Sequence, residues 1–209
     1  YGGRRPQKGE ATANSSGSQV LVDPRTGIAN NGSVSVVDLI AMREIKNIEV
    51  GLHPSAMILS ADGSRLFVAC TNSDVISVID TRTDEVVETI VVKQSADLPF
   101  GSSPTALALS PDGNVLYVAN ATENAICQVR LGLRSGGPLA ETRIDGYIPT
   151  GWYPGAVKID AKGDFIFVAN VKGCGSRNMP TEREGFNSHD HSGSLSIIRL
   201  PDEKKLAEY

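Results

Sequence analysis

Two histidines flanking a carboxylate, His189-Asp190-His191, come nearest in this 209-residue chain to a metal-ligand set. Imidazole nitrogens and a carboxylate suit zinc and its neighbours, and Cys174 could add a thiolate if the segment between folds back. In an extended segment residues two apart point the same way, so the imidazoles would converge while Asp190 points away. The plainer reading is a solvated polar turn ahead of Gly193. A divalent metal is the one cofactor these residues raise, and no cofactor is required by the rest of the chain.

A second group is cationic. Arg4, Arg5, Arg25, Arg177 and Arg183 fall in two stretches without strand pattern, where forked guanidinium bonds could receive phosphate or carboxylate. The alternative is that they pin their own loops to neighbouring acids and carbonyls. A third group is aromatic: Trp152, the single tryptophan, is followed by Tyr153, and His53 stands at the corresponding place one hundred residues earlier. Flat rings of this kind can stack on a ligand or peptide, or they can pack as a cap between structural elements. Asp62, Asp80, Asp84 and Asp112 sit at turns, where carboxylates accept local backbone hydrogen bonds. No Gly-x-Ser-x-Gly, phosphate loop, dinucleotide fingerprint or His-Glu-x-x-His occurs, so no catalytic residues are assigned.

Composition narrows the partners. The formal charge is −4 and the pI about 5.4, with basic residues scattered over turns, which argues against nucleic acid. Apolar runs are strand-sized, so no transmembrane helix is expected. Three cysteines without a Cys-x-x-Cys pair signal neither a disulfide framework nor a zinc knuckle, and Cys70 and Cys127 read as small hydrophobes in strands. The chain starts at Tyr1 without a charged-then-apolar leader, which leaves export open.

The elements that must position these groups are set by an internal repeat. Pro54, Pro104 and Pro154 lie fifty residues apart, each closing a Gly-x-x-Pro that precedes an apolar run, a turn, and a second run ending in Val-Ala. Such a period with β-prone runs predicts a β-propeller of four-stranded antiparallel blades. Strands A and B are expected over 56–60 and 65–69, with Asp62-Gly63 at the turn, and strands C and D over 75–80 and 86–92. The next unit repeats this over 106–110, 115–119 and 125–131, with a weaker last strand near 141–144. Residues 32–38 match 74–80 and the run from Gly193, so the chain enters a blade at strand C and carries two complete blades and two partial ones. Residues 1–209 read as part of one propeller domain. Residues 1–31 and 171–192 are expected as long B-to-C insertion loops on one face. That face would also receive His53, Trp152 and Tyr153 at the channel mouth. No amphipathic helix is expected.

The B-strand ends Phe67-Val68-Ala69-Cys70, Tyr117-Val118-Ala119-Asn120 and Phe167-Val168-Ala169-Asn170, with Ser110-Pro111-Asp112-Gly113, resemble the YVTN-family propeller repeat over roughly residues 32–200. Alanine replaces the family threonine in all three copies. Gly2-Gly3-Arg4-Arg5-Pro6, residues 22–28, Gly151-Trp152-Tyr153-Pro154 and residues 173–177 resemble the propeller portion of bacterial proteins that join such repeats to an alkaline-phosphatase-like phosphoesterase domain. That resemblance implies an accessory, non-catalytic binding module of an exported bacterial protein, periplasmic or extracellular, with any hydrolase activity in a separate domain. Its expected partners are a protein or small anionic ligand, bound through Arg4, Arg5, Arg25, His53, Trp152, Tyr153 and Arg177, and the remaining blades of the same longer polypeptide. Metal candidates are His189 and His191. Two rivals stand beside it: a lactonase-like or phosphoester-hydrolysing propeller enzyme with a site at the channel mouth, and a structural cell-surface interaction protein.

Overall fold

The computed structural model describes residues 4–15, 17–25, 27, 29–95, 97–98, 101–132, 141–173 and 192–209. These form two compact units, Tyr1–Val91 and Val92–Tyr209. The first holds the hairpin β1 (Thr12–Ser15) and β2 (Ser18–Leu21), the pair β3 (Gly32–Asp38) and β4 (Arg43–Val50), and a four-stranded sheet. That sheet is β5 (Pro54–Leu59), β6 (Arg65–Cys70), β7 (Val75–Asp80) and β8 (Glu85–Val91), neighbours in chain order. The second holds the corresponding sheet of β9 (Pro104–Leu109), β10 (Val115–Asn120), β11 (Ala125–Arg130) and β12 (Arg143–Pro149). It also contains a three-stranded sheet of β13 (Pro154–Ile159), β14 (Phe165–Asn170) and β15 (Ser194–Arg199), then a short helix α1 (Glu203–Ala207). Every pairing is antiparallel. The fold is all-β, built of open, unclosed sheets in the pattern of complete and partial propeller blades.

The turns explain the strand order. Ser60 N–H donates to the Arg65 carbonyl at 2.8 Å and Gly63 N–H to the Ser60 carbonyl at 2.9 Å, so residues 61–64 reverse the chain. Of the Asp62-Gly63 pair only Gly63 takes a positive φ, 71°, where a Cβ would be strained. Asp62 works through its carboxylate, which accepts from Ser60 Oγ, Ser64 N–H and Ser64 Oγ. Asp112 does the same with Ser110 and Asn114. In the third copy Asp160, at the position of Ser60, accepts from the Asp164 and Phe165 amides instead. At the same end of the sheet, where strand C turns into strand D, Asp80 accepts from the Arg82 amide and guanidinium and from the cross-strand Arg65.

Each unit then buries its strands by stacking sheet on sheet. In the first, Val34 and Ile48 of β3 and β4 meet Val68, Cys70 and Ile79 of the following sheet. In the second, Ala108, Val115, Tyr117, Ala119, Ile126 and Ile148 meet Val157, Ile166 and Val168. A blade covered on both sides has no polar face to show, which is why β10, Val-Leu-Tyr-Val-Ala-Asn, is buried along its whole length. Cys127 follows the same logic: it is buried in β11, and burial pushes its thiol up to about 12.

Three elements differ from the sequence reading. Residues before Gly32 carry a hairpin, β1–β2, where no strand was expected. Its strands are short and mostly polar, and burial of Leu21 and Val22 anchors it. Strand β12 spans Arg143–Pro149 rather than 141–144, because Gly146 and Pro149 mask its β-propensity. A helix closes the chain. Asp202 caps it by accepting the Lys205 amide at 2.8 Å, and Leu206 seats on Gly146, where a Cβ would lie 2.8 Å from Leu206 Cγ.

Two expectations follow. A Cβ at Gly151 would stand 2.6 Å from Asn170 Nδ2 and 2.7 Å from the Gly173 carbonyl. Gly151→Ala is therefore expected to lower stability by about 1–3 kcal/mol, read by urea unfolding, and an unchanged midpoint would show that the crossover can shift. The hydrogen bonds around Asp62 hold its carboxyl down from the usual 3.8 to about 2. A carboxyl lowered by folding contributes its stability in full above the ordinary value and loses it as pH falls through the folded one. Between about 4 and 2 the melting temperature of Asp62→Asn should fall less steeply than that of the parent chain, and parallel acid titrations would count against this role.

Candidate functional site

The crossover into each blade is locked to the connection that follows strand B. In the first unit the Thr71 and Asn72 amides donate to the carbonyls of His53 and Leu52 at 3.0 and 3.1 Å. In the second unit Ala121 and Thr122 donate to Ser103 and Ser102 at 3.0 and 3.2 Å, and Val171 and Lys172 to Tyr153 and Trp152 at 2.9 and 3.0 Å. The residue before each proline is forced to positive φ: His53 at 55°, Ser103 at 50° and Tyr153 at 59°. Three non-glycine residues in a strained region at one repeat position mark a structural device of the blade, held by the paired carbonyl bonds.

The second unit adds side chains to this frame. Glu123 accepts from the Gln94 amide, from Ser102 Oγ at 2.6 Å and from Asn120 Nδ2 at 2.7 Å. One carboxylate thus ties the incoming crossover to the end of strand B. Asn124 Oδ1 accepts the Tyr153 amide at 2.9 Å, and the Asn124 carbonyl accepts the Thr150 amide at 2.9 Å. The backbone of Trp152 and Tyr153 is therefore gripped from the preceding blade's connection as well as its own.

In the blades β5–β8 and β9–β12, four residues, 71–74 and 121–124, join strand B to strand C, whereas β14 and β15 are joined by residues 171–193. The long connection leaves and returns at one point. The Trp152 amide donates to the Gly173 carbonyl at 2.8 Å, and a Cβ on Gly173 would fall 2.2 Å from the Ser192 carbonyl. Trp152 stands at this root with 46% of its surface exposed. Beside it, Lys172 Nζ lies 5.1 Å from the centroid of the Tyr153 ring, within range of a cation–π contact. An exposed indole, a phenol ring and an ammonium group at one crossover can take a flat ligand that carries negative charge. Lys172 was not picked out from the sequence. The signal was available, since the repeat puts the second residue after strand B opposite the second residue of Gly-x-x-Pro.

The other described sequence candidates belong to the first unit. His53 is exposed in the first unit. Arg4 pairs with Glu10, forms an ion pair with Glu49 at 3.6 Å, and holds the Glu10 carboxyl down to about 2. Arg25 forms a 3.5 Å ion pair with Asp23, and Arg5 is exposed. Arg25 thus engages an acid of its own segment, and Arg4 engages one of its own segment and one of β4. Cys174, Arg177, Arg183, His189 and His191 lie outside the described residues. Among the described residues, no three His, Cys, Asp or Glu side chains gather as a metal-ligand set, and no helix is long and apolar enough to cross a membrane.

Comparison with known proteins supports the fold. The chain is similar to a protein of unknown function from Desulfotomaculum acetoxidans, with a TM-score of 0.53 and 15% identity, covering 83% of this chain and 52% of that one. It is also similar to a candidate 6-phosphogluconolactonase from Bacteroides uniformis, with a TM-score of 0.52 and 18% identity, covering 87% of this chain and 48% of that one. The chain spans about half the length of these solved structures. At such identity the likeness is one of fold. No family model matches the sequence, and no curated protein matches it.

Proposed function

We propose that this chain is a non-catalytic β-propeller module that binds a flat, negatively charged group, a small anionic ligand or a modified protein side chain, at the root of the 171–193 connection. The observation that carries this reading is Trp152, half in water yet held by backbone hydrogen bonds on both sides, next to the Lys172–Tyr153 pair. A rigid aromatic platform with an adjacent cation loses little entropy on binding, and the surrounding strands are occupied with packing. The long connection leads into a strand of the C type, and Arg177 within it is counted among the anion-binding groups.

By its resemblance to propeller–phosphoesterase proteins, the module is read as exported and accessory to a phosphoesterase domain outside this chain. The lactonase-like neighbour supports the fold and leaves the chemistry to be tested. Phenyl phosphate combines a ring with an anion and is the probe of choice. It should quench the fluorescence of Trp152 saturably, and Lys172→Ala should weaken that binding about five- to tenfold, the size of one charge-assisted contact. The same chain should not hydrolyse p-nitrophenyl phosphate or a δ-lactone, with or without added zinc, manganese or magnesium. Turnover that disappears in His53→Ala or His189→Ala would replace the binding module with an enzyme.

A further inference from the structure

The three-stranded sheet β13–β15 has two faces in unlike surroundings. One presents Val157, Ile159, Ile166, Val168 and Ile198 to the β9–β12 sheet. The other carries Phe165, Phe167 and Ala169 of β14 beside Leu195 and Ile197 of β15, brought together by the register Phe167↔Ile197 and Ala169↔Leu195. On this face Leu195 is 62% exposed and Ile197 61%.

The repeat supplies the comparison. With residues 32–38 aligned on 74–80, 124–130 and 193–199, Leu195 corresponds to Val34, Ile76 and Ile126, and Ile197 corresponds to Val36, Val78 and Gln128. Val34, Ile76, Ile126, Val78 and Gln128 are buried and Val36 is partly buried. The same row is therefore covered in three sheets and open in the fourth. Where the cover lies within one unit, its origin is the same. The row on β3–β4 is covered by the sheet that follows it in sequence, β5–β8, and the row on β9–β12 is covered by the next sheet, β13–β15. β15 also has an open edge: among the described residues it pairs only with β14, whereas its counterpart β11 pairs with both β10 and β12.

We propose that Phe165, Phe167, Ala169, Leu195 and Ile197 form the docking surface for a further antiparallel blade of this build, supplied by a continuation of the same polypeptide. The occupant presents aliphatic side chains at the positions of Val157, Ile166, Val168 and Ile198, because those are the groups that meet the corresponding row of β9–β12. A contiguous apolar row of this kind on a sheet face, next to an unpaired edge, is a surface that folded proteins keep covered. The solved structures sharing this fold have the length such a continuation needs, since this chain covers only 52% and 48% of them. The inference rests on the scaffold and is independent of what binds at Trp152.

The test extends the chain after Leu200 with a second copy of residues 141–200, which supplies, in register, a strand equivalent to β12 and a following blade. In this longer chain amide exchange over residues 195–198 should slow at least about tenfold relative to the 209-residue chain. Binding of the hydrophobic dye ANS should fall. In the 209-residue chain Ile197→Lys should lower ANS binding and leave the melting temperature unchanged. A folded extended chain with unaltered exchange at 195–198 would overturn the proposal, and so would unfolding of the 209-residue chain by Ile197→Lys. A stable dimer of the 209-residue chain that Ile197→Lys dissolves would assign the face to a second copy and overturn it equally.

Discussion

Stacking of two-sided sheets is the constraint on which this molecule depends. A blade that buries apolar side chains on both faces has no amphipathic alternation to guide it, and no solvent-facing side on which to place chemistry. Its strands are short and nearly all apolar, as in β10 and β7, and its register is held at the ends by turns and crossovers. The Gly-x-x-Pro crossover meets that requirement with two carbonyl-bound amides per blade and a strained residue before the proline. Glycine at its start is demanded by contact: Gly51 faces Cys70 and Gly151 faces Asn170, each at distances that a Cβ would turn into overlap.

This division of labour accounts for the distribution of polar groups. Carboxylates of Asp62, Asp80, Asp112 and Asp160 serve turn amides and cross-strand arginines, and Glu123 serves a crossover. Hydrogen bonds hold the carboxyls of Asp62, Asp80, Asp112 and Asp160 below their ordinary value, and the turn carboxylate recurs at one repeat position as Asp62 and Asp112. Trp152 and Lys172 do not repeat: the corresponding positions hold Leu52 and Asn72, and Ser102 and Thr122. A site specific to this protein is expected where equivalent positions diverge while their backbone geometry is kept.

Much of the scaffold was legible in the sequence for the same reason. The fifty-residue spacing fixes register, Asp-Gly marks the A-to-B turns, and Val-Ile-Ser-Val-Ile-Asp has one reading in a strand. The hairpin β1–β2 was not legible, since its strands are mostly polar and its buried anchors among the described residues are Leu21 and Val22. The length of β12 and the existence of α1 depend on one another through Gly146 and Leu206, a long-range contact that no local pattern encodes. Trp152 and Tyr153 could be placed from the repeat, whereas the partnership of Arg4 with Glu10 and of Lys172 with Tyr153 required the folded backbone.

The central claim is that the repeated sheets hold together without the residues that interrupt their period. Deleting residues 174–192 leaves Val171, Lys172, Gly173 and Gly193 as a four-residue connection, the length of 71–74 and 121–124, across a gap that the contact of Gly173 with Ser192 shows to be short. The most direct measurement is thermal unfolding of that deletion. The account predicts unfolding as cooperative as that of the parent chain, with a midpoint within about 4 °C of it, equivalent to about 1 kcal/mol for a domain of this size. Loss of cooperative unfolding, or a midpoint lowered by several times that amount, would show that the insertion holds the sheets together, and would contradict the account.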